Sequence, residues 1–211
     1  MATRSGDIRG GVIAAPSEDL CLGFVNTRSW RGMATPSEEL HGLDDVLAWS
    51  AGSGGVDAAI VDGFRVWWRT RPGEAAEAFA DTIELREMLF RMFGAVAGGQ
   101  PADPANLAAL NAAFASAAVR ARMALRDGAL VWSVDGLRPE ARALLSPVLW
   151  SAADLLAGAR RGRVRQCDNP QCRWVFIDDS KSGNRRWCSM ASCGNRAKAH
   201  RHYLKRRETG R

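Results

Sequence analysis

The chain has 211 residues, a hydrophobic fraction of 46% with eight tryptophans, and a formal net charge of +6. That suits one medium domain plus a small one, or two small ones, with ample apolar content for a core. No stretch approaches the length of a membrane span and residues 1–16 lack an apolar run before a cleavage site, so neither a membrane segment nor a signal peptide is expected. The expected location is the cytoplasm, where disulfides are disfavoured.

The charge is unevenly placed. Residues 160–211 hold 15 Lys/Arg and four Asp/Glu, a net of +11, whereas residues 1–159 carry −5. A mildly acidic body with a basic end predicts a polyanionic partner at that end.

In chain order, 17–27 (SEDLCLGFVNT) carries an apolar, β-leaning run that reads as a strand. Residues 28–38 read as a loop with Trp30, Gly32 and Pro36. Residues 43–50 read as a short helix with Asp44 and Asp45 in the first turn, where the helix dipole favours them. A second helix is expected over 57–70, stopped by Arg71-Pro72-Gly73, and a third over 74–97 with Gly98-Gly99 behind it. Residues 105–123 read as a helix capped by Asp103, with Pro104 at its first position. Residues 124–134 read as a hairpin about Asp127-Gly128. Residues 139–160 read as a long helix that bends at Pro147. The expected fold class is α+β: a mostly helical body over 1–162 with a small β component, then a finger over 163–211.

The finger carries the clearest chemistry. Cys167 and Cys172 form one pair and Cys188 and Cys193 another, with fifteen residues between them. Two pairs on two turns can close a tetrahedral all-thiolate site, which predicts one structural zinc per chain rather than free thiols or disulfides. Cys167-Asp-Asn-Pro-Gln-Cys172 reads as a tight turn and 173–177 as a strand. Residues 178–184 then read as a polar turn, and 185–187 as the return strand toward Cys188. A helix holding the last ligands follows, so the order is knuckle, hairpin and helix, a treble clef. Trp174, Phe176 and Trp187 are expected to form its small core. On a helical plot from Gly194, Ala197, Ala199, His200, Tyr203 and Leu204 fall on the packing half. Lys198, Arg201, His202, Lys205 and Arg206 fall on the other. Arg196 lies on the inner side, where a hydrogen bond to knuckle carbonyls is expected.

Cys193-Gly194-Asn195-Arg196 resembles the tetrapeptide that names the CGNR zinc finger. Leu20-Cys21-Leu22-Gly23-Phe24-Val25-Asn26-Thr27 resembles the N-terminal motif of the ABATE domain that accompanies it. Together the two similarities span nearly the whole chain. The resemblance implies a bacterial stress-induced transcription regulator with a zinc-bound treble clef that contacts DNA. It maps the ligands onto Cys167, Cys172, Cys188 and Cys193.

The expected function is that of a zinc-containing, DNA-binding regulator. Lys198, Arg201, His202, Lys205 and Arg206 would face DNA, and Lys181, Arg185 and Arg186 would clamp the neighbouring backbone. RNA binding or protein interaction through the finger is the alternative, and specific binding would call for a homodimer or a partner. Nucleoid association would follow from DNA binding. Asn26, Thr27, Arg28, Trp30 and Arg31 form a polar and aromatic cluster, the candidate pocket for a small-molecule effector. No enzymatic activity is expected. The body has one histidine, His41, and one cysteine, Cys21, with no P-loop, G-x-S-x-G or H-E-x-x-H motif. A four-cysteine site also leaves no open coordination position. The 162/163 boundary further predicts that loss of zinc unfolds the finger and spares the body.

Overall fold

The computed structural model describes residues 7–53 and 55–209, with the side chains of 200–202, 204, 205, 208 and 209 outside the described part. The fold is α+β and mostly helical. Strand β1 (Gly11–Ile13) leads to helix α1 (Leu20–Val25), the short strands β2 (Arg28–Ser29) and β3 (Ser37–Glu38), and helices α2 (Leu43–Gly52) and α3 (Ala58–Arg69). Helix α4 (Pro72–Ala97) is the central helix, packed against α1, α2, α3 and α5 (Pro104–Ser116). Strands β4 (Arg122–Arg126) and β5 (Ala129–Val134) follow, then helices α6 (Ala141–Leu144) and α7 (Ser146–Ala157). Beyond a 3-10 turn come β6 (Val164–Gln166), β7 (Val175–Ile177), a π turn over Met190–Gly194 and helix α8 (Asn195–Thr209).

The segment read as a strand is helix α1. Five of its six residues, Leu20, Cys21, Leu22, Phe24 and Val25, are buried. A short helix buried nearly all round presents a continuous apolar run, so periodicity cannot separate it from a buried strand. Cys21 stays a core residue: its thiol is buried, and burial pushes its pKa up to about 12.

The other expected elements hold with shifted ends. Asp57 and Asp103 cap α3 and α5, each accepting a hydrogen bond of 2.8 Å, from the Ala59 and Ala105 amides. Pro72 does not merely stop α3; it occupies the first turn of α4, where a missing N–H costs no helix bond. Helix α5 ends at Ser116, seven residues early, because 122–126 join the hairpin as β4. The long helix expected over 139–160 is divided between Leu144 and Ser146, with Pro147 opening α7. The hairpin gains a third strand, because β1 pairs antiparallel with β5 in the order β1-β5-β4.

The main core runs through Phe24, Ile60, Phe64, Leu89, Phe93, Leu144 and Leu149, and it does not stop at residue 162. Val164 and Val175, from β6 and β7, are buried in it, with Ile177 packed alongside. Among the described residues, no helix is long and apolar enough to cross a membrane.

Candidate metal centre

The first cysteine pair sits in the connection between β6 and β7, which pair antiparallel from Val164 opposite Ile177 to Gln166 opposite Val175. The return segment 185–187 is not a strand, so β7 takes its partner from the residues ahead of the knuckle. The knuckle is closed by backbone bonds: the Cys167 amide donates to the Trp174 carbonyl at 2.8 Å, and the Cys172 amide to the Asn169 carbonyl at 2.9 Å. The segment after β7 is organised by Asp178, which is buried. Its carboxylate accepts from the Ser180 hydroxyl, from the Ser180 amide at 3.0 Å and from the Arg185 amide at 2.8 Å. Those bonds, led by the Ser180 hydroxyl, hold its pKa below the usual carboxylate range.

The four thiols converge. The sulfur atoms of Cys167, Cys172, Cys188 and Cys193 all lie within 4.8 Å of one another. The Cys172–Cys188 and Cys188–Cys193 separations are 3.7 and 3.8 Å. A tetrahedral ion with Zn–S bonds of about 2.3 Å sets its sulfurs about 3.8 Å apart, so the donor set fits zinc in size as well as chemistry. Charge gives the same answer. Burial, reinforced by neighbouring cysteines, pushes Cys172 up to about 12 and raises Cys188 as well. Cys193 is also raised by burial, but hydrogen bonds led by Asn169 outweigh this and hold it low. Four clustered thiols, three of them buried, cannot all ionise without a counter-charge, and a bound dication would supply it.

The tetrapeptide Cys193–Arg196 is accounted for atom by atom. Cys193 offers a sulfur. A Cβ on Gly194 would lie 2.8 Å from the sulfur of Met190, an exposed and flexible side chain that would have to move aside. The Asn195 side chain donates to the Ala191 carbonyl at 3.3 Å, holding the π turn. Arg196 lies over the Trp30 ring at 4.5 Å, a cation–π contact with the body in place of the expected knuckle hydrogen bond. Trp174, Trp187 and Phe176 do form the small core around the cysteines, and Trp30 of the body completes it.

The five residues expected to line an effector pocket lie at this joint. Asn26 is buried and acts as a one-residue strand partner for β7. Its side-chain amide donates to the Val175 carbonyl at 2.8 Å, and its side-chain oxygen accepts from the Val175 amide at 3.1 Å. The Thr27 hydroxyl donates to the Phe24 carbonyl at 2.7 Å and accepts from Arg86 at 3.2 Å. Arg31 reaches Glu87 at 2.6 Å and the Val25 carbonyl at 3.0 Å, and stacks 3.9 Å over Phe90. Arg28 lies 3.8 Å from Glu87. Trp30, in the left-handed region at φ 52, turns its ring to the cysteines. Two residues on, the Gly32 amide donates to the Gln171 carbonyl at 3.0 Å, and a Cβ there would lie 1.9 Å from the Pro170 oxygen.

Asn26→Ala is therefore expected to leave the Val175 amide and carbonyl buried without partners, at about 1–3 kcal/mol for each group. Urea unfolding should show the loss while zinc content stays at the wild-type level. Unchanged stability would mean that β7 does not depend on this bond pair.

The charged residues assigned to nucleic acid divide into two sets. Arg185 donates to the carbonyls of Trp187 (3.1 Å) and Cys188 and packs over Phe176 at 4.7 Å. Arg186 pairs with Asp168 at 2.6 Å. Arg185 braces the second knuckle, and Arg186 ties the segment ahead of it to the first. Lys181, Lys198 and Arg206 are exposed. The side chains of Arg201, His202 and Lys205, like those of His200 and Leu204, lie outside the described residues. Ala199 and Tyr203, expected on the packing half of the helix, are exposed, Tyr203 by 56%. Past the half-buried Ala197, every described side chain of α8 is exposed.

The motif residues Asn26 and Arg196 therefore both serve one joint, and a single residue's distance along the chain gave no sign of it. Residues 18–159 match the ABATE family, described as a putative stress-induced transcription regulator, and residues 163–206 match the CGNR zinc finger. No curated protein was found to match the chain.

Proposed function

The chain belongs to the ABATE family and ends in a CGNR zinc finger, and from that premise we propose that it is a DNA-binding transcription regulator with one structural zinc per chain. The observation that carries this reading is helix α8: it follows directly on the π turn that holds Cys193, Arg196 ties its start to Trp30, and Lys198 and Arg206 are exposed. A basic helix held at one end, with its described side chains beyond Ala197 exposed, can lie against a duplex. Lys198, Arg201, His202, Lys205 and Arg206 would meet phosphate or the groove, and Lys181, on the turn after β7, would contact the neighbouring backbone. Arg185 and Arg186, braced against the knuckle, would act through the local positive field. Zinc fixes the helix to the finger and performs no chemistry, and the protein has no catalytic role in this reading.

The test is fluorescence anisotropy of the zinc-loaded protein with a mixed-sequence duplex, from about 50 to 300 mM salt. About five phosphate contacts give a log–log slope of roughly −4.5, and Arg201→Ala with Lys205→Ala should make it shallower by roughly 1.8. Zinc content should not change in that variant. Absence of binding at the lowest salt would overturn the reading and turn attention to RNA, then to a protein partner.

A further inference from the structure

A cavity of about 330 Å³ reaches the thiol cluster from the body side, lined by Ser29, Trp30, Cys172, Trp174, Cys188, Ser189, Ser192 and Cys193. It therefore touches three of the four candidate ligands. Cys167, on the far side, is not in its lining and is buried. The three sulfurs differ in protection. Cys193 receives the Asn169 side-chain amide at 3.5 Å, and Cys172 a backbone bond at Trp174. Among the described residues, the hydrogen-bonding neighbours of the Cys188 sulfur are other cysteine sulfurs. Cys188 is also the one cysteine of the four that is only half-buried. A thiolate without N–H donors keeps its lone pairs available, so Cys188 combines the greatest access with the least quenching.

We propose that Cys188 is an oxidation site for small hydroperoxides, and that its disulfide with Cys172 or Cys193 releases the zinc. The inference rests on the zinc centre of the preceding reading. The Cys188 thiolate attacks one peroxide oxygen: an S–O bond forms, the O–O bond breaks, and the departing hydroxide takes a proton to leave as water. The neighbouring Cys172 or Cys193 thiolate, 3.7 or 3.8 Å away, then attacks the Cys188 sulfur and displaces its oxygen as a second water. Two thiolates, one hydrogen peroxide and two protons become one disulfide and two waters. The sulfurs lose the two electrons that the peroxide gains. Two of the four thiolates that would hold the ion are then lost to the disulfide, and the remaining pair would be too few to retain it. Trp30 and Trp174 wall the cavity, and Ser29, Ser189 and Ser192 bring hydroxyls that can hydrogen-bond a hydroperoxide.

The experiment begins with elemental analysis of the purified full-length protein, followed by hydrogen peroxide in the presence of a chromophoric zinc chelator. Peroxide should release zinc. Peptide mass spectrometry should find Cys188 joined to Cys172 or Cys193, and thiol reductant with added zinc should reverse the change. Substoichiometric iodoacetamide should label Cys188 ahead of the other three. Trp30→Ala should speed the peroxide-dependent release several-fold, after subtraction of its own peroxide-free zinc loss. Stoichiometric zinc retained through peroxide, or first labelling at Cys167, would overturn the inference alone. Absence of zinc from the purified protein would overturn the metal assignment and this inference with it.

Discussion

Cys172→Ser is expected to remove stoichiometric zinc and to lower the thermal stability of the whole chain. The Cys172 sulfur is buried, 3.7 Å from that of Cys188, and a serine hydroxyl neither ionises there nor matches zinc as thiolate does. Zinc in small finger peptides contributes roughly 10–16 kcal/mol, because so short a segment has little core of its own. The sequence boundary at 162/163 predicts that this loss stays local. The packing predicts otherwise. Val164 and Val175 sit in the main core, Asn26 pairs with Val175, and Gly32 lies against Pro170 and Gln171 of the first knuckle. Unfolding the knuckle removes the partners of all these groups. Calorimetry should show the body transition moved to lower temperature, and chelation of zinc from the wild-type protein should reproduce the shift. A variant that kept one zinc per chain would overturn the ligand assignment. A body transition unmoved by zinc loss would show that the joint contributes little to stability.

The contrast between what the sequence showed and what it hid follows from range. Paired thiols on tight turns are local geometry, so Cys167, Cys172, Cys188 and Cys193 are legible from spacing alone. Asp103 and the Asp127-Gly128 turn are local in the same way, whereas Asp57, read as the first residue of its helix, is its cap. Helix α1 is different. Its apolar residues are buried nearly all round, and the periodicity that separates helix from strand is lost. Asn26 reads naturally as the polar end of that run. Its partner, Val175, is 149 residues away, and no pattern short of the fold brings the two together. The same holds for Trp30 and Arg196, which read as a loop aromatic and a helix cation until the ring and the guanidinium meet. The exposed Ala199 and Tyr203 show the converse. An amphipathic plot says which residues share a face, but not whether anything lies opposite that face.

Arg86→Ala should be strongly destabilising, near the lower end of the range of about 3–5 kcal/mol for removing one partner of a buried ion pair, because the carboxylates it leaves are partly exposed. The Arg86 side chain is 1% exposed, the Glu38 side chain 29%. Its guanidinium holds both Glu38 carboxylate oxygens, one of them at 2.7 Å, and reaches Glu87 at 3.1 Å and the Thr27 hydroxyl at 3.2 Å. Alanine would leave a cavity and strip Glu38 of its counter-charge. Lysine should restore little, because a single ammonium cannot reproduce the two-pronged contact. The pH dependence separates this electrostatic role from simple packing. Burial tends to raise the Glu38 carboxyl, but hydrogen bonds from Arg86 and from the Leu40 amide outweigh it and hold the pKa below the ordinary value. Glu87 is likewise held low, against the same burial, by Arg31, Arg86 and Arg28. A carboxyl depressed in the folded protein binds its proton more readily in the unfolded chain. Its contribution is therefore complete above the unfolded value of about 4.5 and is lost as pH falls through the lower folded value. Urea unfolding of wild type below that point should show stability falling steeply with acid. Arg86→Ala should be weaker at neutral pH and should lose part of that acid slope, since Glu38 would no longer be held down by the guanidinium. A variant with the full wild-type slope would show that Arg86 acts on this fold by filling space, with no part in holding Glu38 ionised.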